Sequence, residues 1–560
     1  MTACHSTAPA TPRTDPFRRS RVAIATSLED FSSAEQPSQR AFAQQAGLPH
    51  ATFNYWTRHY AAAAGDPLDS FFRCAAGEEL LRRLVLAALT TFQLQGAGGI
   101  RLVGTFLQRA GLDRFVATSR GALHPLAARI EADLVAFRDA EQPALAQQMK
   151  PRAITVVPDE HFHSGKPCLV GLEPVSGFLV VECYRDRRDA DTWKEAIQQG
   201  TAGLPVEVVQ MTSDEARALI CLAEKGFQAA HSPDLFHGQH DLLKPLLLPL
   251  TRPIQQAEKE LHKASQHSAA LDTPLPEPTS EEEFLALVEA VLEEEALGKQ
   301  LQQARQHKEE AVQQVRGVGD DYHPFDRDTG KPVTAEEVGQ RLNAHLDELA
   351  QVVAKAELSD KAKAAVDRAR TWVATLMGCV AWFWSLADAQ LEEMDLSEEQ
   401  ERVMREKLLA GHYWGTAAGR ARTAEERKRL KEMAEALKKE AWQEGTALAA
   451  LSEEERKEVE GAAQQTAGLF QRSSSAVEGR NGRLSLQKHG HSRVSEQRLK
   501  ALTVLHNYLV RRPDGTTAAQ RFFGQKHKDV FSWLLERLPD LPRPAAKRST
   551  RAGQPSLQPG

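Results

Sequence analysis

Three acidic residues, far apart in the chain, have the side-chain types and contexts needed for metal-assisted phosphodiester chemistry. Asp159 and Asp214 each follow a run of β-branched and apolar residues, and Glu478 lies in a helical segment rich in arginine. Cleavage by two divalent cations requires carboxylates that converge, because the cations sit about 3.5–4 Å apart and prefer oxygen ligands. We therefore predict Asp159, Asp214 and Glu478 as the catalytic and metal-binding triad.

Other acidic residues compete for these roles. Glu160 is a second-choice ligand, since it directly follows Asp159 and successive side chains of a strand point to opposite faces. Asp234 is a rival of Asp214, although no strand is apparent directly before it. Glu478 has a simpler interpretation as a residue that caps its helix or pairs with Arg480 on a solvated surface.

Glu478 opens a strongly basic stretch. Residues 480–530 contain eleven Lys and Arg against three acidic residues, in a chain whose formal net charge is −6. Such a patch is typical of a protein that binds a polyanion. The expected phosphate contacts, whose alternative is a solvated helix surface, are Arg480, Asn481, Arg483, Lys488 and Arg493.

The region before residue 61 predicts a helix-turn-helix at 38–60. Ser38 can cap a first helix, Gly47 can form the turn, and a second helix begins after Leu48. In a helix-turn-helix the second helix enters the major groove of DNA. The side chains that it would present are His50, Thr52, Asn54, Tyr55 and Arg58. Any short helical hairpin with a Gly turn gives a similar pattern.

Residues 152–225 change to a strand-rich pattern, which predicts a mixed α/β sheet. Three strand-like runs precede a helix, a fourth strand and a second helix, with the two aspartates after the first and fourth strands. The predicted elements are strands 154–157, 168–172, 178–184 and 206–211, with helices 191–199 and 215–225.

From 241 to 470 the pattern is almost entirely helical. The loop 320–332 has clustered acids, which fit either a bound cation or, more simply, a solvated turn. The uncharged run 371–387 is at the short limit for a bilayer, and we interpret it as a buried central helix. Six cysteines without metal-ligand spacing predict reduced thiols in a cytosolic setting.

The chain resembles bacterial insertion-sequence transposases of the DDE superfamily, whose catalytic domain is ribonuclease-H-like. The residues that carry the resemblance are VVPDEHFH around Asp159, MTSDEARALI around Asp214, SPDLFH at 232–237 and SSSAVEGRNGRLS around Glu478. The segment 473–538 is also similar to the C-terminal part of a group of uncharacterised transposase-like proteins.

This resemblance implies an Asp-Asp-Glu triad that holds two Mg²⁺ or Mn²⁺ for attack by water and then by a DNA 3′-hydroxyl. It also implies an all-helical insertion between Asp214 and Glu478, and an auxiliary role for Asp234 and His237 in an Asp-x-x-His motif. A hydrogen-bonded structural histidine is the alternative for His237.

The expected fold is thus a ribonuclease-H-like α/β core with a large all-α insertion and an N-terminal helix-turn-helix, mostly helical overall. The expected segments are a mobile leader 1–36, a helical DNA-binding region 37–150, core 151–240, insertion 241–470, core with basic helices 471–540 and a disordered tail 541–560.

The expected activity is metal-dependent DNA cleavage and strand transfer at element ends. We expect double-stranded DNA as the partner, a homodimer or higher assembly on DNA, no membrane association, and a cytoplasmic, nucleoid-associated location in a bacterium. The alternatives are a catalytically inactive, transposase-derived DNA-binding protein or regulator, and a helical scaffold.

Overall fold

The protein is mostly helical and contains one small mixed sheet of five strands. It divides into two compact units, residues 1–149 with 481–560, and residues 150–480. The chain after Arg480 thus belongs with the N-terminal helices, whereas the sequence had placed it with the sheet. The computed structural model describes residues 21–33, 38–62, 67–272, 280–490 and 494–544.

The N-terminal part of the first unit consists of seven helices in its described residues. A π-helical segment, Leu89–Gln95, continues the fifth of them. The helices are α1 (Arg21–Ser33), α2 (Gln39–Gln45), α3 (His50–Ala62), α4 (Pro67–Phe71), α5 (Ala75–Ala88), α6 (Ile100–Arg109) and α7 (Arg120–Gln148).

Helices α2 and α3 form the expected helical hairpin. The Ser38 hydroxyl accepts a hydrogen bond from the Ala41 N–H at the start of α2, and Gly47 adopts φ +64° in the turn, where a glycine is favoured. Phe53 and Trp56 of α3 are buried in a small core that also includes Ile24 of α1. Helix α1 therefore packs where the sequence predicted a mobile leader, because its apolar residues cover this hairpin. The rest of the leader, residues 1–20 and 34–36, lies outside the described residues.

The second unit contains the sheet. Its strands have the order β3-β2-β1-β4-β5, with β1–β2 and β2–β3 antiparallel and β1–β4 and β4–β5 parallel. Two helical connections, as parallel pairing requires, join the strands after β3. The elements are β1 (Arg152–His163), β2 (Lys166–Glu173), β3 (Phe178–Tyr184), α8 (Ala190–Thr201), β4 (Val206–Ser213), α9 (Arg217–Cys221) and β5 (Ala230–Pro233).

The remainder of the second unit is helical, as its amphipathic pattern predicts. Ser280, Thr334, Ser397 and Ser452 each form a capping box, in which the helix-start hydroxyl and a Glu or Gln three residues later exchange hydrogen bonds with the backbone. The helices are α10 (Leu235–Leu271), α11 (Glu281–Asp321), α12 (Ala335–Lys355), α13 (Asp360–Glu392), α14 (Glu398–Val403), α15 (Ala410–Ala418), α16 (Ala424–Ala441), α17 (Glu453–Leu469) and α18 (Ser475–Gly490), whose residues after Arg480 belong to the first unit.

Helix α13 holds the uncharged run noted in the sequence. Within the described chain it is the one helix that is long and apolar enough to cross a membrane. Val373, Leu376, Val380 and Phe383 of this helix are buried in the large core of the second unit. A third of the apolar window is buried, so one face of this helix forms part of the core, whereas the sequence interpretation expected a buried helix.

Three further helices return to the first unit: α19 (Glu496–Tyr508), α20 (Ala518–Phe523) and α21 (Val530–Arg537). Phe137 of α7 is fully buried, and its ring packs edge-on against those of Tyr508 and Trp533. This packing explains why the C-terminal helices join the N-terminal ones. Of the expected disordered tail, residues 541–544 are described and residues 545–560 lie outside the described part.

Candidate metal centre

The two predicted aspartates lie at corresponding positions of neighbouring parallel strands, Asp159 within β1 and Asp214 directly after the end of β4. β1 pairs with β4 through Val156 and Met211, and three residues further along the two strands are Asp159 and Asp214. The sequence had placed Asp159 after the end of its strand. In the structure β1 continues to residue 163, because β2 still pairs with it and Asp159 lies opposite Val170.

A third aspartate, Asp234, lies beside Asp214, and we call Asp159, Asp214 and Asp234 the aspartate row. β4 pairs with β5 through Ser213 and Pro233, so the next residues of the two chains are Asp214 and Asp234. The backbone N–H of Asp234 donates to the Ser213 carbonyl at 2.8 Å. The expectation that no strand precedes Asp234 was wrong, since the four-residue β5 is formed by pairing with β4 and not by a β-branched run.

Asp159 is partly enclosed, and its environment disfavours its charge. Burial is the main cause that raises the pKa of Asp159 to about 6, and the negative charges of Glu160 and Asp214 add to it. A hydrogen bond from the Glu160 N–H and the nearby His237 oppose the shift. A cation beside Asp159 would therefore stabilise the charged form of this carboxylate.

Asp234 is a fully enclosed hydrogen-bond acceptor at the start of α10. Its Oδ1 accepts from the Phe236 N–H at 2.9 Å, which caps the helix. Its Oδ2 accepts from Nδ1 of His237 at 2.6 Å and from the Ser474 hydroxyl. Because three donors already occupy this buried carboxylate, Asp234 is better suited to position its neighbours than to bind a cation directly.

Glu478, which lies in the first turn of helix α18, is close to Asp234 and His237. One ligand atom from each of Asp234, His237 and Glu478 lies within 4.8 Å of the others. Ser474 precedes Glu478 by four residues, which places both on one face of the helix start. The bond from Ser474 to Asp234 therefore turns Glu478 toward the aspartate row.

His237 interacts with three of the acidic residues, Asp234, Glu478 and Asp214. Burial lowers its pKa, but the hydrogen bond that His237 donates to Asp234 and the negative charges of Asp234, Glu478 and Asp214 outweigh burial and raise the pKa overall. Its Nδ1 is bound to Asp234 and about half of the side chain is exposed. The other ring nitrogen, Nε2, is therefore the atom that His237 can offer to a ligand or a proton.

The donor set fits a divalent cation. The ligand atoms that lie within 4.8 Å of one another belong to Asp234, His237 and Glu478, and Asp159 and Asp214 each interact electrostatically with His237. Carboxylate oxygens such as those of Asp159, Asp214 and Glu478 match the preference of Mg²⁺ and Mn²⁺ for oxygen ligands. These side chains come from two strands and two helices whose positions are fixed by pairing and by the bonds of Asp234. The arrangement can thus bring a cation to a phosphate at the edge of the sheet.

Two other acidic candidates have partners of their own. Glu160 forms an ion pair with Arg188, so it is already neutralised on its side of β1. In the loop 320–332, burial raises the pKa of Asp326, but hydrogen bonds from Thr329 and Arg341 outweigh burial and lower the pKa to about 2. These contacts satisfy Asp326 without a cation. The loop is not a solvated turn throughout, however, because Tyr322, His323 and Phe325 are buried.

Arg480, one of the expected phosphate contacts, requires a correction. Its Nε and Nη2 each lie 2.6 Å from a carboxylate oxygen of Glu182 on β3, and both side chains are buried. The guanidinium is thus committed to a bidentate ion pair inside the second unit. This ion pair attaches helix α18 to the sheet, and the guanidinium is not available to bind a phosphate.

The remaining predicted DNA-binding residues lie in the first unit. Of those that follow Arg480, Arg483 is exposed, Asn481 and Lys488 are half-buried, and Arg493 lies outside the described residues. On α3, His50 and Arg58 are exposed, while Thr52 and Asn54 are half-buried. Each of these positions on α3 keeps some surface for a partner.

Sequence reasoning missed two residues that build the site, Ser474 and Glu182. Ser474 lies in a run of three serines before Glu478, and nothing in the run marks which hydroxyl turns inward. Glu182 sits in an apolar strand, where a lone carboxylate is a signal for a buried partner. That signal could have predicted an ion pair with one of the distant arginines.

The comparison with known proteins adds one match. Residues 404–550 are similar to a family of unknown function, DUF6399. The matched segment includes Ser474 and Glu478 but none of the three aspartates. No curated protein and no solved structure matches the chain.

Proposed function

We propose that this protein is a DNA-cutting and DNA-joining enzyme of the transposase type, with a ribonuclease-H-like core. The observations that carry the proposal are the positions of Asp159 within β1 and of Asp214 and Asp234 directly after the adjacent strands β4 and β5, and the approach of Glu478 on α18 to Asp234 and His237. The mixed sheet agrees with the fold that the resemblance implies, since three consecutive antiparallel strands are followed by two parallel ones.

Asp159, Asp214 and Glu478 would hold the cations, Mg²⁺ or Mn²⁺. The bound cations would supply charge stabilisation for the transferring phosphate and a nucleophilic oxygen at neutral pH. The chain itself fixes the geometry: strand pairing sets the two aspartates, and Asp234 sets His237 through Nδ1. In this proposal His237, protonated as its raised pKa favours, donates a hydrogen bond from Nε2 to the phosphate or to the leaving oxygen.

Binding of double-stranded DNA is assigned to the first unit in this proposal. The exposed cations of the basic stretch, such as Arg483 and Arg512, suit the phosphate backbone, and α3 suits the major groove. A homodimer or higher assembly on paired element ends, in a bacterial cytoplasm, completes the proposal.

Nicking of supercoiled plasmid by the full-length protein in Mg²⁺ or Mn²⁺ is the direct test. We expect cleavage that requires the cation and that falls at least about 100-fold in Asp159→Asn, Asp214→Asn and Glu478→Gln, since each removes a charged ligand. Asp186→Asn is the matched control, because Asp186 is an exposed acid of the same unit that pairs with Lys166. Cleavage that persists in all three variants would eliminate the assigned triad.

The second candidate function is a DNA-binding protein without catalysis. It is favoured by the helical hairpin and the basic helices, which need no acidic cluster. It predicts salt-sensitive DNA binding that the three substitutions leave unchanged, together with no nicking by the wild-type protein under either cation.

A further inference from the structure

A cavity of about 130 Å³ lies in the second unit, behind the first turn of α10. Leu235, which directly follows Asp234, forms one wall, and His323, Trp414 and Arg472 form others. The Leu235 N–H donates to the Arg472 carbonyl at 2.9 Å, which ties this wall to the segment before Ser474. A single water needs roughly 10–15 Å³ by a comparable measure, so the cavity can hold a small polyatomic ion with water.

The walls of this cavity carry an excess of positive charge. Two carboxylates line it, Asp320 and Glu426, and both are bound by the guanidinium of Arg327. The other three guanidinium groups in the walls are those of Arg420, Arg422 and Arg472. The cavity therefore has about two positive charges more than negative ones.

Arg422 and Arg472 are not neutralised by acidic residues. Among the residues that the structure describes, neither has a carboxylate within ion-pair distance. Arg472 donates from Nη1 to the carbonyl oxygens of Gly319 and Tyr322, at 2.7 and 3.1 Å, which fixes its direction without removing its charge. Arg422 is exposed at the cavity mouth.

The floor of the cavity is aromatic and uncharged. His323 is buried, its Nδ1 lies 2.5 Å from the Tyr413 hydroxyl, and its ring packs 4.7 Å from that of Trp414. Burial, with the positive charges of Arg472 and Arg327, holds the pKa of His323 well below its usual range. The imidazole is thus neutral, and it adds no charge to that of the arginines.

We propose that this cavity is a binding site for a phosphoryl group, separate from the candidate metal centre. Guanidinium groups bind phosphate oxygens through paired N–H donors, and two of them with no acidic partner in one concave site favour a doubly charged oxyanion over chloride. The group could be a backbone phosphate of bound DNA or a free phosphate or nucleotide. Binding of a phosphoryl group in this cavity does not depend on whether the candidate metal centre is catalytically active.

Binding of inorganic phosphate to the full-length protein tests the free-anion source. Intrinsic tryptophan fluorescence is followed during titration with phosphate at constant ionic strength, with chloride as the balancing anion. We expect saturable binding by the wild type that weakens at least about tenfold in Arg422→Gln and in Arg472→Gln. Arg402→Gln is the matched control, since Arg402 is an exposed arginine of the same unit, paired with Glu399 and Glu406 outside the cavity.

The salt dependence of duplex binding tests the DNA source. Each phosphate contact adds about 0.9 to the slope of log K against log salt, so Arg422→Gln should reduce the slope by about one if a backbone phosphate occupies the cavity. A change in either measurement, specific to the cavity variants, supports the site and identifies the source. If both cavity variants behave as Arg402→Gln does in both measurements, the proposal is overturned.

Two controls keep the result interpretable. Arg422 is exposed and has no partner to lose, so its substitution tests the site even if Arg472→Gln reduces folding. Asp159→Asn should bind phosphate like the wild type, because Asp159 does not line the cavity. Failure of the phosphate site and failure of the proposed nuclease are therefore seen in different variants.

Discussion

Arg480 and Glu182 form a buried, bidentate ion pair that joins helix α18 to strand β3. Both N–O distances are 2.6 Å, and the two side chains are 6% and 0% exposed. Glu478 precedes Arg480 by two residues on the same helix. The pair therefore fixes the part of the helix that brings Glu478 to Asp234 and His237.

Loss of one partner of this pair should be strongly destabilising. In Glu182→Gln the guanidinium of Arg480 stays buried without a counter-charge, and such changes typically cost about 3–5 kcal/mol. Urea denaturation of the full-length protein measures the loss. Asp186→Asn, which breaks the exposed pair with Lys166, should change stability by less than about 1 kcal/mol.

The double variant Glu182→Leu with Arg480→Met should recover much of that loss, since an apolar pair needs no charge balance. Equal and small effects of Glu182→Gln and Asp186→Asn would show that the pair is not buried in solution.

Stability without metal should depend on pH through Asp159. Its folded pKa of about 6 lies above the value of about 3.9 in an unfolded chain, so the folded state holds the proton more tightly. This contribution is fully present below about pH 4 and is lost as the pH rises through about 6. Relative to Asp159→Asn, the wild type should lose about 1–3 kcal/mol across this window.

Denaturation of both proteins in EDTA, from pH 4 to pH 7.5, measures that difference. Addition of Mg²⁺ or Mn²⁺ at pH 7.5 should then stabilise the wild type more than Asp159→Asn, because the cation offsets the buried charge. Parallel pH curves for the two proteins would contradict the raised pKa.

A glycine next to His237 should not tolerate a side chain. A Cβ on Gly238 would lie 1.3 Å from the Trp372 ring of α13, so Gly238→Ala must displace either the ring or the start of α10. We expect a loss of about 1–3 kcal/mol in stability and weaker metal binding, as measured by urea denaturation and by titration calorimetry with Mn²⁺.

Gly298→Ala is the matched control for this change. Gly298 also lies within a helix, and a Cβ there meets nothing within 4 Å. Alanine should stabilise that helix by about 0.5–1 kcal/mol. If the two alanine variants are equally stable, Gly238 and Trp372 are not in contact.

Helix α3 should carry sequence preference in DNA binding. Asn54→Ala should cost about 1–3 kcal/mol against a preferred duplex and little against a random one, if Asn54 contacts a base. Arg58→Ala should weaken binding to both duplexes and lower the salt slope by about one, as expected for a phosphate contact.

Fluorescence anisotropy at several salt concentrations measures these effects, and the preferred duplex is first obtained by selection from a random pool. Gln45→Ala, an exposed substitution on α2, is the control. Wild-type affinity for all duplexes in both α3 variants would remove the hairpin from DNA recognition.

Local signals in the sequence were sufficient for many of the individual elements. Strand β3 has the predicted bounds of residues 178–184, and β4 begins at the predicted Val206. The hairpin turn before β3 forms because the Glu173 carboxylate accepts from the N–H groups of Val175 and Ser176. These features depend on neighbours within a few residues, which the sequence displays directly.

The charge count of residues 480–530 was less informative, because it does not distinguish paired from unpaired cations. Arg480 and Arg498 are buried in ion pairs with Glu182 and Glu131. Lys528 pairs with Glu141. All of these partners lie more than 290 residues away in the chain, so their neutralising effect is absent from a count over a window.

The sequence by itself determined which side chains could bind a cation or a phosphate, and which local elements carry them. Only the tertiary structure decided that Asp234 joins the row of Asp159 and Asp214, that Ser474 turns Glu478 toward it, and that the chain after Arg480 leaves the unit of the sheet. The physical reason is that register, burial and ion pairing arise between segments distant in the chain, whereas periodicity and capping report on adjacent residues alone.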